Sequence, residues 1–384
     1  MPFAGKATYS AGSSLPEIAE DVSDIVSIIS PHETPLLDHL GDAPRAARST
    51  VHEWLEDTLL PNSDIINDST YTNALTDTTV VMTNITRFRV GDIVRNGNEL
   101  LLVTGINEGT STLTIVRGYG GSTGQNLVNA ATLQIVGNAS LEGDDAAVAR
   151  FTSRSRRINY TQIFASTVEV SGSELAVSTL GVADELDYQK QQRMRELLRD
   201  LENTVINGRA ASSNPEGTAT VRRTMRGILA SITTNRFTVG SGGFPTDTAM
   251  TETQLNIALR DIWRNSAGNV DTIVVGGPEK RAINNFLSST SRRYAAESEN
   301  FKQLVSVYES DFGVCRVVLC RWVPTGTVIL LDSSRVNVMP LAGRSFFYKP
   351  LATIGDRDAG QVIGEYTLEF RNEAAHGVIS GFTT

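Results

Sequence analysis

The chain has 384 residues, enough for two or three globular units, because single hydrophobic cores stop growing at roughly 250–300 residues. Its composition is that of a folded globular protein, 40% hydrophobic and 20% charged. A net charge of −9 excludes a protein that holds nucleic acid by bulk positive charge and leaves room only for local basic surface.

Met1–Ser14 is rich in Gly, Ser and Ala and reads as an extended arm. Ile18, Val22, Ile25, Val26 and Ile29 recur at helical spacing and predict a short helix over Pro16–Ile29, broken by Ser30-Pro31 and Thr34-Pro35. Residues 1–45 hold too little for a core of their own, so this helix must dock on a later domain or a neighbouring subunit. Val51–Leu55 alternates in character, and Pro61–Asn73 is polar.

From Thr78 to Val136 the sequence turns to short strands separated by Gly and Asn. Strands are predicted at Thr79–Thr83, Ile93–Arg95, Glu99–Ile106, Thr112–Arg117 and Thr132–Val136, with Asn96-Gly97-Asn98 as a hairpin turn. This punctuation predicts a small β-barrel or sandwich inserted between flexible flanks.

Beyond it, Ile158–Val170 predicts a strand, and Val182–Asn207 a long helix ended by Gly208. Leu186, Met194, Leu197, Leu198, Leu201 and Val205 give that helix one apolar face, while Asp187–Arg195 is mostly polar, as in a strut exposed on one side. At about 1.5 Å per residue it would run roughly 40 Å.

A mixed α/β unit follows. Thr251–Arg264 predicts an amphipathic helix with Thr251 as N-cap, Thr272–Val275 a buried strand, and Glu279–Leu287 a helix with Pro278 just outside it. Val307–Tyr308, Val314–Cys320 and Thr327–Asp332 predict further strands, and Phe346–Thr384 is again mostly strand, including Gly364–Phe370 and Val378–Phe382.

Catalysis needs convergent groups of tuned acidity, and the sequence offers few. His32, His39 and His52 fall in segments that read as extended, and His376 has no Ser or Cys nearby, so all four read as surface or interface residues. No Cys-x-x-Cys, His-x-x-x-His or His-Glu-x-x-His occurs, and neither Asp64–Asp68 nor Asp356–Asp358 completes a calcium loop. Catalytic, cofactor-binding and metal-binding residues are therefore all expected to be none. The run Gly118–Gly124 follows a strand but opens no helix, so it reads as a connecting loop rather than a phosphate cradle.

Cys315 and Cys320, five apart on a strand, should point to opposite faces and form no disulfide. With no signal sequence and no apolar run near ~18 residues, a reducing cytoplasm and no membrane contact are expected. Lysine occurs only at Lys6, Lys190, Lys280, Lys302 and Lys349; the excess of arginine suits desolvated ion pairs and interfaces, though a GC-rich genome gives the same bias. The clusters Arg150–Arg157, Arg193–Arg199 and Arg222–Arg226 lack interleaved aromatics. They suit contact with phosphates or, better in an acidic protein, with the acids of neighbouring subunits.

Arm, β-rich excursion, strut helix and compact α/β unit, in this order, describe a structural subunit that reaches over its copies. The order resembles the tailed-bacteriophage capsid fold first seen in the Hong Kong-97 phage. Gly91-Asp92-Ile93-Val94, Arg117-Gly118-Tyr119-Gly120-Gly121, Val275-Gly276-Gly277-Pro278 with Lys280-Arg281-Ala282-Ile283, and the ending Tyr366–Gly377 are similar to the SU-type coliphage major capsid family.

The resemblance implies an α+β capsid fold with residues 1–45 as N-terminal arm and 46–77 with 139–165 as the limbs of an extended E-loop. A β-module at 78–138 would be inserted in that loop. Residues 166–240 and 335–384 would form a peripheral domain with spine helix 182–207, and 241–334 an axial domain. It further implies a major capsid protein that assembles with itself into pentamers and hexamers of an icosahedral head enclosing double-stranded DNA. The expected partners are a cement or decoration protein, a scaffold, a portal, and packaged DNA through non-specific inner-surface contacts. The expected location is the virion, assembled in the bacterial host cytoplasm.

Residues 45–165 contain no lysine, so the Lys–Asn crosslink of some relatives could not start from this loop, and non-covalent locking is expected instead. No long helical segment precedes the arm, so a cleaved scaffolding domain is not expected. Other phage parts (tail tube or neck) and a carbohydrate-binding surface protein are the alternative readings, the last weakened by few aromatics in 78–138.

Overall fold

The computed structural model describes residues 31–143, 149–176, 184–289, 307–352 and 355–383. The predicted arm Met1–Ser14 and helix Pro16–Ile29 lie outside these residues. In chain order the elements begin with α1 (Pro35–Leu40), β1 (Val51–Glu56), β2 (Ser63–Ile65), β3 (Thr79–Val81), β4 (Asp92–Asn96), β5 (Glu99–Asn107), β6 (Thr112–Val116) and β7 (Thr132–Asn138). They continue with β8 (Ser155–Tyr160), β9 (Gln162–Ser171), α2 (Gly172–Ala176), α3 (Glu185–Asn207), α4 (Ile228–Ser231), β10 (Arg236–Thr238), α5 (Glu252–Asn265), β11 (Thr272–Val275) and α6 (Gly277–Ser289). The last are β12 (Val307–Ser310), β13 (Gly313–Leu319), β14 (Thr327–Leu331), β15 (Val336–Pro340), β16 (Phe347–Pro350), β17 (Arg357–Phe370) and β18 (Gly377–Ser380). The chain divides into two units, Leu55–Arg156 and the pair of segments Met1–Trp54 and Arg157–Thr384.

The smaller unit is a six-stranded sheet in the order β2-β7-β4-β5-β6-β3. A bridge between Ile66 and Met82 joins its two end strands, so the sheet closes into a barrel. Inward parity is set by period-2 alternation: Val94, Leu101, Val103, Leu113, Ile115 and Leu133 fill the interior. Bulges after Ile93 and after Val103 bend the strands as closure requires. Asn96 pairs with Glu99 across the predicted hairpin, and Gly97 supplies a positive φ of 59°. Sequence reading missed β2, three residues inside a polar stretch. Its Asp64 is buried and pairs with Arg87 at 2.9 Å, so polarity there marks an internal ion pair rather than a loop.

The larger unit holds two sheets. One is six-stranded and mixed, in the order β10-β18-β14-β11-β13-β12, with β10 parallel to β18 and β11 parallel to β13. Its strands alternate between two cores. Val274, Ile329, Leu331, Val318 and Val378 enter one core, while Ile273, Val275, Val328, Leu330, Val317 and Ile379 enter the other. The second sheet is built on β17, which pairs β9 along one edge and β16 and then β15 along the other.

Helix α3 is capped by Asp184, whose side chain accepts from the Asp187 amide. Only its second half is buried, through Leu197, Leu201, Glu202, Val205 and Ile206, while the first half carries the surface pairs Lys190–Asp187 and Arg193–Glu196. The polar middle therefore reflects exposure on one side, and the predicted start at Val182 lies outside the described residues. Helix α5 has the predicted Thr251 cap, completed by Gln254 into a reciprocal capping box.

One expectation about proline fails. Pro278, expected outside α6, sits in its first turn, while Pro35, expected to end the preceding helix, opens α1. The missing amide of proline is one that the first turn leaves unbonded anyway. The single strand expected over Ile158–Val170 is two, β8 and β9, separated at Thr161. The Thr161 amide turns to Thr50 O, and its hydroxyl donates to Glu365 at 2.6 Å. Strand β17 runs from Arg357, extending the strand expected at Gly364–Phe370 within a stretch expected to be mostly strand.

Candidate assembly surfaces

Of the four histidines His32 is exposed, His39 and His52 are half-buried and His376 is fully buried, which corrects the surface or interface reading for His376. His39, on α1, has Nε2 2.7 Å from Thr272 Oγ1; burial, then Arg316, push its pKa down against the pull of Asp271. His52, on β1, donates to Glu369 at 2.7 Å. His376 is fully buried: its Nδ1 accepts the Asp332 amide at 3.1 Å, Nε2 faces Arg371 O at 3.3 Å, and burial pushes its pKa down to about 4. No two of these rings converge with a nucleophile. Among the described residues no group of three or more His, Cys, Asp or Glu is placed to hold a metal ion.

The buried carboxylates organise structure instead. Glu369 takes His52, Arg45 at 3.0 Å and Arg371 at 3.2 Å; the His52 bond first, then Arg45, hold its pKa at about 2 against burial. Glu365 takes Arg223 at 2.5 Å and Arg344 at 2.8 Å, with Thr161 beside them. Glu202 accepts the Leu37 amide at 3.3 Å and the Cys320 thiol at 3.1 Å, joining α1 to α3, and burial raises its pKa. The sequence did not reveal these carboxylates as buried. Their only signal is parity: each lies in register with apolar neighbours on its strand or helix.

The arginine preference is thus used largely inside the subunit. The arginine clusters are likewise dispersed: Arg150 caps the Arg87 and Phe88 carbonyls, Arg193 and Arg199 pair along α3, and Arg223 is bound to Glu365.

In the barrel unit the family words prove to be turn chemistry. Glu99 is fully buried at the start of β5 and accepts from Arg117 Nε and Nη2 at 2.8 and 2.7 Å, the Gly118 amide at 3.0 Å and the Gln125 amide at 2.8 Å. Burial opposes its ionisation, but these donors outweigh burial and lower its pKa. The loop Gly118–Gly124 is therefore wrapped around a carboxylate, a connecting loop as expected. Gly91 carries a φ of 86°, and a Cβ there would lie 2.3 Å from Ala139 O, while the adjacent Asp92 accepts the Arg89 amide at 2.7 Å.

What remains free is apolar surface. Leu59 (86% exposed), Phe151 (83%) and Leu141 (79%) flank the barrel strands in sequence, before β2 and after β7. On the larger unit Trp263 is 63% exposed on α5, its ring 6.0 Å from that of Phe312. Among the described residues these are the large apolar side chains most open to solvent, and so are available for contact between copies.

Three solved structures share this architecture. The capsid of the native GTA particle, computed with C5 symmetry, aligns at a TM-score of 0.53 with 9% identity, covering 99% of this chain and 100% of that one. A chain from Gordonia phage Cozz aligns at 0.52 with 14% identity, covering 99% and 96%. One from Mycobacterium phage Ogopogo aligns at 0.50 with 10% identity, covering 94% and 96%. At such identities the likeness fixes the fold alone, which is Hong Kong-97-like. No curated protein matches the chain. The family model described as SU10 major capsid protein matches residues 4–383, nearly the whole length, and the chain belongs to that family.

Proposed function

We propose that this major capsid protein assembles into pentamers and hexamers that close an icosahedral phage head around double-stranded DNA. Family membership carries the shell itself and sets aside the tail-tube, neck and carbohydrate-binding readings. The structural observation that supports overlap between copies is the apolar surface at Leu59, Leu141 and Phe151, beside a barrel that already has a complete core.

In this reading residues 1–45 are an arm laid on a neighbour, and 46–77 with 139–165 are E-loop limbs carrying the module 78–138. Residues 166–240 with 335–384 are the peripheral domain, and 241–334 the axial domain. Each copy holds several others through contacts of moderate size, and simultaneous engagement multiplies their strength. The chain acts as a structural subunit without catalysis, in the virion after assembly in the host cytoplasm. Portal, scaffold, a cement protein and the packaged DNA are its further partners.

Negative-stain electron microscopy of the purified protein tests the reading: closed shells are expected, and tubes or open rings would contradict it. Deleting residues 1–30 is expected to leave folded subunits that form no stable shells. Normal particles from that deletion would remove the arm's assigned role.

A further inference from the structure

Beyond the C-terminal end of α3 the larger unit contains an open cleft of about 630 Å³ whose lining includes Tyr160, Arg209, Ser212, Arg226, Leu229 and Arg236. Three arginines, all exposed, are among its lining residues, and no Asp or Glu is.

The backbone that carries two of them is held in place. Gly208 and Gly227 form a close crossing, in which the Gly227 amide donates to Gly208 O at 3.0 Å. A Cβ on Gly227 would lie 2.7 Å from Gly208 N, Thr204 O and Val205 O, so only glycine permits the approach. Arg209 and Arg226 are the next residues on either side of this crossing. The buried Asn159 bonds both the amide and the carbonyl of Arg226 at 2.9 Å, and Thr224 Oγ1 donates to Arg209 O at 2.9 Å.

The side chains are a different matter. Neither the Arg209 nor the Arg226 guanidinium has a hydrogen bond or ion pair to a described residue. Arg236 spends its Nη1 on Leu229 O and Ile232 O, neutral carbonyls that fix its position and leave its charge unbalanced.

We propose that this cleft is a binding site for a phosphate group. The backbone is pinned while the Arg209 and Arg226 side chains are exposed and unpartnered, so both guanidiniums are free to turn onto an arriving anion and only side-chain ordering opposes it. Three forks around one opening exceed what a single carboxylate can neutralise, whereas a phosphate has oxygens for each, and the hydroxyls of Ser212 and Tyr160 lie in the same lining. The overall charge of −9 argues that such an uncompensated positive cleft is not the average surface of this chain. Free phosphate and a nucleic-acid phosphodiester present the same chemistry. The site does not depend on the domain assignment proposed above.

The full-length subunit is titrated with inorganic phosphate at constant ionic strength while thermal unfolding is followed. A saturable rise in Tm is expected, with affinity reduced about tenfold or more for each guanidinium removed in Arg209→Gln and Arg226→Gln. Arg222→Gln, exposed and outside the cleft, is expected to behave as wild type. If the double variant folds poorly, Arg226→Gln alone, read by phosphorus NMR line width, answers the same question.

A second arm measures binding of a short DNA duplex as a function of salt. A log–log salt slope reduced by roughly 2 in the double variant assigns the phosphate to nucleic acid, and an unchanged slope assigns it to the free anion. A non-saturable response, an equal response to chloride, or phosphate affinity unchanged in the double variant overturns the proposal. So does a phosphate-insensitive wild type whose double variant fails to assemble, which would give the cleft to an acidic side chain of a neighbouring copy.

Discussion

Phe370 lies against the His376 ring at 4.2 Å between centroids, and the amide of Asp332 points at its Nδ1. The ring is thus held neutral, with Nδ1 as acceptor and the proton on Nε2 facing Arg371 O. Its folded pKa, about 4, is depressed below the ordinary 6.5, so the unfolded chain binds this proton more readily than the folded one. The charges that face the ring are Asp332 and Asp271, which favour protonation, and Arg335, which opposes it. Stability from this group is complete above pH 6.5 and declines as pH falls toward 4, by about 3 kcal/mol in all. Urea midpoints at pH 7.5 and pH 5 should therefore differ in the wild type, and His376→Asn, weaker at both, should bring the two closer together.

Glu369 falls in a lower window. Its pKa of about 2 means that its contribution is complete above pH 4.5 and lost as pH falls toward 2. An Arg45→Ala or His52→Ala variant should lose stability above pH 4.5 and gain nothing at higher pH. Acid titration of unfolding in parallel with wild type reads the difference.

At the scale of elements, the loop between β6 and β7 depends on one carboxylate. Glu99→Ala leaves Arg117 nearly buried and the Gly118 and Gln125 amides without their acceptor. Loss of a buried partner of this kind costs roughly 3–5 kcal/mol. Calorimetry should show the barrel transition lowered while that of the larger unit stays in place; a uniform shift of both would contradict the local role.

The parity that buries Glu99 is visible in the sequence, since Glu99, Leu101 and Val103 alternate on one face. What hid it was chemical type, because a charged residue at a strand start is ordinarily exposed. Pro278 was misjudged for a similar reason. Proline has opposite meanings in the first turn of a helix and in its interior, and composition alone does not distinguish the two.

For the whole molecule, strand positions were largely legible but strand partners were not. The sequence marks Ile158–Val170 and Gly364–Phe370 as extended, yet nothing local says that β9 pairs with β17 nearly two hundred residues away. The same holds for β10 beside β18 and for the two cores on opposite faces of one sheet. The cleft arginines were noticed only as part of a cluster, because the Gly208–Gly227 crossing that sets two of them apart is a tertiary contact. The barrel was the easiest part to see, being local in sequence, with a core drawn wholly from residues between Ile66 and Leu133. A fragment of residues 55–156 should accordingly fold by itself, giving dispersed amide resonances and a cooperative melt. A fragment with collapsed dispersion would show that the barrel borrows its stability from the rest of the chain.

Cys315 belongs to one core of the larger unit and Cys320 to the other, and burial pushes both thiols up to about 12. Neither reacts readily at neutral pH while its surroundings stay shut. The chain thus carries two reporters, one on each side of the same sheet, that are silent until the packing around them loosens. Pulse alkylation followed by mass spectrometry would time-stamp the two events separately during any shape change of the subunit, without an introduced label.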